Sequence, residues 1–249
     1  MNNLPVSLSG KTRLVLLFDI DGTLITCGGA GRRAMERAFY EATGSSDHIA
    51  FGFGGMTDKA IAREGLTRAN RNTGPQNIDR VLALYLRFLD DELSRDATQP
   101  APAFRILPGV HALLDALLDH EREGRVTIGL GTGNLVEGAQ RKLEHAALWH
   151  RFAFGGFATD HEDRAALLEA GAQRGHARLN HEPATVVVIG DTLRDIDAAK
   201  RIGAPCLAVA TGHVSFDELR AHGAEDVAQS LEEVGVDRLF KLARSASAS

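Results

Sequence analysis

The segment Leu14 to Leu24, LVLLFDIDGTL, restricts the possible folds more than any other part of the chain. Five consecutive apolar residues suit a short strand buried on both faces, and such strands belong to parallel sheets covered by helices on each side. The run stops at two carboxylates, Asp19 and Asp21, followed by Gly22 and Thr23. Gly22 permits a tight exit from the strand. Ligands of open parallel sheets sit outside the carboxyl ends of the strands. The segment is therefore expected to deliver two acids to the edge where α/β enzymes do chemistry.

Length and composition agree with this reading. A chain of 249 residues holds one large α/β domain, or a core plus a small second domain. Its net charge of -5 offers no basic footprint, so nucleic acid is not an expected partner. The two cysteines, Cys27 and Cys206, form no disulfide framework and fit a reducing, cytoplasmic setting. The opening MNNLPVSLSGK lacks the apolar region of a signal peptide, and the apolar run over 14–18 is too short to span a bilayer, so no membrane partner is expected.

Residues 28–98 have helical periodicity. Ala34, Ala38, Phe39 and Ala42 make one stripe, ending near Gly44. Ile61, Leu66 and Ala69 mark a second, and Ile78, Val81, Leu82, Tyr85, Leu86 and Leu89 the strongest. The stretch Thr98 to Pro102, TQPAP, breaks the pattern as a linker would. From residue 104 strands and helices alternate. Helices are expected over 108–120, 135–148, 164–177, 196–202, 216–222 and 231–242. Strands are expected over 126–130, 152–157, 185–189 and 205–210, with a last one around Val227. The expected fold is a doubly wound parallel α/β core over 10–24 and 105–243, with an all-helical cap inserted over 25–104 and a disordered tail over 244–249.

Further strand ends carry polar groups. Strand 126–130 runs into Gly131-Thr132-Gly133-Asn134, and strand 185–189 into Gly190-Asp191-Thr192-Leu193-Arg194-Asp195. The segment TDHEDR, ending at Arg164, precedes a helix. Because the carboxyl ends of a parallel sheet share one edge, Asp19, Asp21, Thr132, Arg164, Asp191 and Asp195 are candidates to converge there.

These motifs resemble those of the haloacid dehalogenase-like hydrolase superfamily, along essentially the whole chain. Asp19-Ile20-Asp21-Gly22-Thr23 resembles the family's DxDGT motif and Thr132 its strand-end Thr or Ser. Arg164 stands where the third motif has Lys or Arg, and Gly190-Asp191-Thr192 with Asp195 resembles GDTxxD. The helical insert is similar to the cap of the phosphoglycolate-phosphatase-like branch, and Gly55-Met56-Thr57-Asp58 to the cap loop that faces the core in that branch. The resemblance implies a phosphatase acting on a small phosphate ester through an aspartyl phosphate. Asp19 is then the nucleophile, and Asp21 the group that protonates the leaving oxygen and later activates water. It also implies Mg²⁺ held by Asp19, Asp191 and the Asp21 carbonyl, with Asp195 acting through water. Thr132, the Gly133 amide and Asn134 would face the phosphoryl group, Arg164 would offset charge, and Thr57, Asp58 and Arg32 would touch the leaving group. Such roles suit an inert ester, for which enzymes supply accelerations of up to ~10²¹-fold.

Simpler readings accompany several of these residues. Thr57 and Asp58 also fit a helix N-terminus, and Arg32 a solvated helix face. His161, Glu162 and Asp163 read as the acidic first turn of a helix rather than a second metal site. Gly129-Leu130-Gly131 lacks the third glycine of a dinucleotide fingerprint. Within the superfamily, Asp21 argues against a haloacid dehalogenase, which lacks an acid there. A sugar phosphomutase is the enzymatic alternative, and a non-catalytic binding protein on the same fold the alternative from another class.

Overall fold

The computed structural model describes residues 12–98 and 103–246. Six parallel strands form the main sheet: β1 (Leu14–Phe18), β4 (Val126–Gly131), β5 (Gly155–Gly156), β6 (Thr185–Gly190), β7 (Cys206–Val209) and β8 (Asp226–Ala228). Their order is β5-β4-β1-β6-β7-β8, so β1 lies inside with β4 on one side and β6 on the other. The chain winds outward through β4 and β5, then returns across β1 to β6. That reversal opens the crevice in which sheets of this class bind ligands.

Every residue of β1 is buried. Leu14, Leu16 and Phe18 face one apolar cluster, and Val15 and Leu17 the other, as alternation along a strand demands. The second cluster is closed by α6 (Arg164–Arg178) and α7 (Leu193–Arg201), through Leu167, Leu168, Ile196 and Ala199. On the opposite face lie α4 (Val110–Arg122) and α9 (Val236–Ala246), through Val110, Leu113, Leu114, Leu117, Leu239 and Phe240. Two-sided burial explains the unbroken apolar run, and each fully buried side chain of this kind contributes about 1.5–3 kcal/mol.

Register sets the level of the site. Phe18 pairs with Leu130 on one side and Ile189 on the other. Asp19 thus leaves the sheet level with Gly131 and Gly190, one residue before Thr132 and Asp191.

The insert contains α1 (Ala30–Thr43), α2 (Asp58–Arg68) and α3 (Pro75–Ala97), matching the three expected stripes. A helical turn over Asp47–Ile49 and a loop separate α1 from α2. Glu92 of α3 is fully shielded and holds α1 through Arg33 (2.8 Å) and Arg37 (2.9 Å). Where the chain enters and leaves the insert, β2 (Ile25–Cys27) and β3 (Phe104–Ile106) pair antiparallel. The sequence gives no signal for these strands, because three residues are too few to show alternation. The helix α5 (Val136–His145) packs on α3 as well as following β4.

Three expectations change. Of the strand expected over 152–157 only Gly155–Gly156 pairs with β4. The single helix expected over 231–242 is a short turn, Leu231–Glu233, capped by Ser230, followed by α9 after Gly235. Lastly, α9 continues through Ala246 into the stretch expected to be a tail, while residues 247–249 and most of the TQPAP segment lie outside the described residues.

Truncating the central strand should be far costlier than altering the surface. Leu16→Ala is expected to destabilise by about 2–5 kcal/mol, against about 0.5 kcal/mol or less for Tyr40→Ala on the exposed side of α1. Urea midpoints at constant slope measure both.

Candidate active site

The first candidate residue, Asp19, follows β1 directly, and its amide donates to the Ile189 carbonyl (2.8 Å). Asp191 follows β6, and Asp195 sits in the first turn of α7. Carboxylate oxygens of Asp19, Asp191 and Asp195 all lie within 4.8 Å of one another, and all three residues are buried. Among the described residues this is the only such group of potential metal ligands. Burial raises the Asp19 carboxyl to about 6, with Asp195 and Asp21 adding to the rise and Arg164 and the Thr132 hydroxyl opposing it. Burial together with Asp19 and Asp195 likewise holds Asp191 well above the ordinary carboxylate range.

The cation inside the cluster is Arg164, the first residue of α6 and itself buried. Its Nε donates to Asp195 Oδ1 (2.8 Å), its Nη2 contacts Asp195 and lies 3.2 Å from Asp19 Oδ2, and its Nη1 reaches the Gly55 carbonyl (3.4 Å). Three carboxylates around one guanidinium leave two negative charges uncompensated, which suits one hard divalent cation with oxygen ligands. Asp195 is otherwise occupied, because its Oδ2 accepts from the amide (3.0 Å) and hydroxyl (2.6 Å) of Thr192 in a capping box. Asp191 is freer. Its Oδ1 accepts from Thr23 Oγ1 (3.2 Å), and its Oδ2 is cradled by Gly22 and Gly212, where any Cβ would run into the carboxylate. Gly22 also has φ +88°, so the glycine is required twice over.

Asp21 belongs to a separate charge system. Its Oδ2 accepts from Lys142 Nζ (2.6 Å) and Asn134 Nδ2 (3.0 Å), while among the described residues its Oδ1 has only the Cys27 thiol at 3.5 Å. Lys142 is almost wholly buried and also donates to Asn134 Oδ1 (2.6 Å). Burial opposes ionisation of Asp21, but the Lys142 ammonium and the Asn134 amide outweigh it and hold the carboxyl below its ordinary range. Lys142 is the functional residue that sequence reasoning missed. Its only signal was position: a lysine among Leu135, Ala139 and Leu143 on the apolar side of α5.

The phosphoryl candidates gather at the same edge. Thr132 is fully buried and its Oγ1 accepts from Asn134 Nδ2 (2.8 Å). The amides of Ile20, Asp21 and Gly133 meet no acceptor among the described residues. Three N–H groups near Asp19 therefore remain to receive anionic oxygens. Asn134 itself is spent on Asp21, Thr132 and Lys142.

The insert is docked on this edge. Thr57 caps α2 through the Ala60 amide (3.2 Å) and donates to the Glu162 carbonyl (2.9 Å). Asp58 is buried; its amide donates to the Gly133 carbonyl (2.7 Å) and its Oδ2 accepts from the Leu135 amide (2.8 Å). Arg63 pairs with Glu162 (2.8 Å), and Arg194 contacts the Gly54 carbonyl. Thr57 and Asp58 thus join the insert to the core. Arg32 is engaged within the insert, donating to the Phe51 carbonyl (2.7 Å) and lying over the Phe53 ring. Asp163 caps α6 and pairs with Arg201 (2.8 Å), in keeping with the acidic-turn reading of that segment.

With this geometry in hand, comparison with known proteins identifies the class. Residues 14–203 match the haloacid dehalogenase-like hydrolases, and the chain belongs to that family. No curated protein matches it in sequence. Solved structures share its fold. A hydrolase from Pseudomonas syringae is 19% identical, with TM-score 0.65 over 92% of this chain and 99% of its own. A predicted phosphoglycolate phosphatase from Haemophilus somnus 129pt is 15% identical, with TM-score 0.62 over 94% and 99%. β-Phosphoglucomutase from Clostridium difficile is 14% identical, with TM-score 0.69 over 96% and 100%. No helix among the described residues is long and apolar enough to cross a membrane.

Asp58 provides a pH test of the docked insert. Burial lifts its carboxyl to about 6, above the unfolded value of 3.8. A raised acid favours the fold while protonated, so its contribution is complete below 3.8 and lost as pH rises through 6. Asp58→Asn keeps an oxygen for the Leu135 amide without the charge. It should therefore raise stability at pH 8 by on the order of 2 kcal/mol and change little at pH 3.5. Thermal unfolding at the two pH values checks the sign.

Proposed function

We propose that this hydrolase is a Mg²⁺-dependent phosphatase of small phosphorylated metabolites, with the catalytic core over 10–24 and 105–243 and a cap over 25–104. The observation that carries the reading is the division of labour between two acids on one short segment. Asp19 lies within a carboxylate cluster that calls for a cation, while Asp21, two residues on, is held by an ammonium and an amide with one oxygen left over. The difference in environment separates two roles, and position assigns them: Asp19 lies beside the cation site and the free amides as nucleophile, and Asp21 has an accessible Oδ1 for proton transfer.

An Asp19 oxygen attacks phosphorus in line with the ester oxygen. The ester P–O bond breaks as Asp21 delivers a proton to the departing alcohol; the negative phosphoryl group beside it opposes the pull of Lys142, so in the substrate complex the carboxyl carries that proton on Oδ1. Water then attacks the aspartyl phosphate, Asp21 takes its proton, and the carboxylate of Asp19 returns as inorganic phosphate leaves. Oδ1 of Asp21 is the oxygen for both transfers, since Oδ2 is held by Lys142 and Asn134. Thr132 and the amides of Ile20, Asp21 and Gly133 receive the phosphoryl oxygens. Arg164 offsets the charge of Asp19 and of the phosphoryl group, and Asp195 keeps the guanidinium in place. Asp19, Asp191 and the Asp21 carbonyl would hold Mg²⁺, which offsets negative charge on the nucleophile and the phosphoryl group when bound.

Two measurements test the reading. Asp19→Asn should reduce phosphate release to background, with near-native far-UV circular dichroism. Chelation should abolish turnover of the native protein and Mg²⁺ restore it. Normal turnover in the Asn variant, or full activity after exhaustive chelation, contradicts the proposal. Isomerised sugar phosphate without free phosphate would instead favour a mutase.

A further inference from the structure

A second polar group lies beside Asp21 that the chemistry above does not use. Tyr85 sits in the middle of α3, only 2% exposed. Its hydroxyl has no hydrogen-bond partner among the described residues and keeps some solvent contact, unlike the enclosed unpartnered nitrogens of His120 and Arg151. The hydroxyl and Lys142 Nζ both lie within 4 Å of the point where a Cβ on Gly31 would stand, at 3.8 and 3.6 Å. Gly31 is in the first turn of α1 with ordinary helical backbone, and its missing side chain leaves that point open between the two polar atoms. The charged and polar groups acting on the phenol are Asp58 of α2, Lys142 of α5, Asp21 and Cys27. The recess is therefore bounded by α1, α3 and α5 and by Asp21, which Lys142 holds, next to the carboxylate that meets the leaving oxygen. The Asp21 side chain keeps 42% of its surface accessible while Lys142 keeps 5%, so access is to the acid and not to the ammonium behind it.

The charges of this recess discriminate among leaving groups. Among the described residues Lys142 is its one cation, and it is already paired with Asp21 and bonded to Asn134. Asp58 adds a second carboxyl. Arg33, two residues further along α1, is committed to Glu92 (2.8 Å) and the Gly28 carbonyl (2.8 Å). A carboxylate entering here would meet no free positive charge and at least one fixed negative one, and burying an unpaired charge is costly. A hydroxyl would meet the unpartnered phenol.

Resting on the phosphatase reading, we propose that Tyr85, with Gly31 and Lys142, forms the leaving-group subsite, and that the substrate is the phosphate ester of an uncharged, hydroxylated alcohol such as a polyol or sugar. The Tyr85 hydroxyl hydrogen-bonds a substrate hydroxyl adjacent to the ester carbon. Gly31 leaves room for that carbon, and Lys142 fixes Asp21 behind the ester oxygen.

Three two-carbon esters separate the possibilities: 2-hydroxyethyl phosphate, ethyl phosphate and 2-phosphoglycolate, with 4-nitrophenyl phosphate as a general phosphatase control. The native protein with Mg²⁺ should prefer 2-hydroxyethyl phosphate over 2-phosphoglycolate by about tenfold or more in kcat/KM. Tyr85→Phe removes one oxygen from a buried ring. It should lower the ratio of kcat/KM for 2-hydroxyethyl over ethyl phosphate by roughly 3- to 10-fold, the worth of one uncharged hydrogen bond. A preference for 2-phosphoglycolate, or a Tyr85→Phe effect equal on both uncharged esters, overturns the assignment. Hydrolysis of the aryl ester with none of the alkyl esters accepted also overturns it, leaving the phosphatase reading intact. Failure on all four esters removes the phosphatase reading itself.

Discussion

The structure is organised around a charge problem at the end of one strand. The sheet buries β1 on both faces, and its register places Asp19 level with the ends of β4 and β6. Asp191 arrives by the same geometry and Asp195 by the helix that follows. Removing several carboxylates from water costs several kcal/mol per ion unless each is paired. Arg164 answers part of that cost in a way a lysine could not. Its fork touches Asp195 through two nitrogens, Asp19 through one of these, and the Gly55 carbonyl of the insert through the third. A compact ammonium offers no comparable planar reach. The third-motif position, where the superfamily has Lys or Arg, is thus filled by a group that also contacts the loop above.

The second pair, Asp21 with Lys142, keeps its charge apart from this cluster. Asp19 and Asp21 are separated by one residue, yet burial among like charges pushes one up and an ammonium draws the other down. The separation is possible because β1 ends at Phe18: beyond it Asp19 and Asp21 are free of the strand geometry that would put positions two apart on one face. Asn134 connects the two systems. Its amide bonds Asp21 on one side and Thr132 on the other, and its carbonyl accepts from Lys142. A displacement at Lys142 would thus be felt at the hydroxyl beside Asp19 as well as at Asp21.

What could be read from the sequence follows from how local each signal is. Asp19, Asp21, Asp191 and Asp195 were legible because each lies within a residue or a helical turn of a strand end, so one-dimensional spacing maps onto the site. Arg164 was legible by its place before a helix, although only the structure shows its fork filled by carboxylates. Lys142 and Tyr85 were not. Both lie inside helices, Tyr85 in the middle of α3 and Lys142 in the last turn of α5, and periodicity reports only that a side chain faces inward. The Tyr85 position reads as core because Val81, Leu82 and Leu89 around it are core. Whether an inward face meets hydrocarbon or a polar recess depends on which helix crosses it, here α1 at Gly31 and α5 at Lys142. The β2–β3 pair was invisible for a related reason, since its register joins residues almost eighty positions apart.

The docked loop ahead of α2 completes the argument about selectivity. Loops facing an active site are natural candidates for substrate contact, yet here Thr57 is committed to the Glu162 carbonyl and Asp58 to the Gly133 carbonyl and Leu135 amide. These bonds hold the insert against the ends of β4 and α6, and the Gly55 carbonyl completes the donors around Arg164. A group that ties the insert down in this way has little hydrogen-bonding capacity left for a ligand. On the phosphatase reading, discrimination then falls to side chains on the helices that approach Asp21 from the far side. These helices also keep their geometry independently of the loop, because Glu92 binds α1 to α3 through paired arginines and α5 packs on α3. The loop ties the insert to the core, and on the phosphatase reading the junction of α1, α3 and α5 sets what fits beside Asp21.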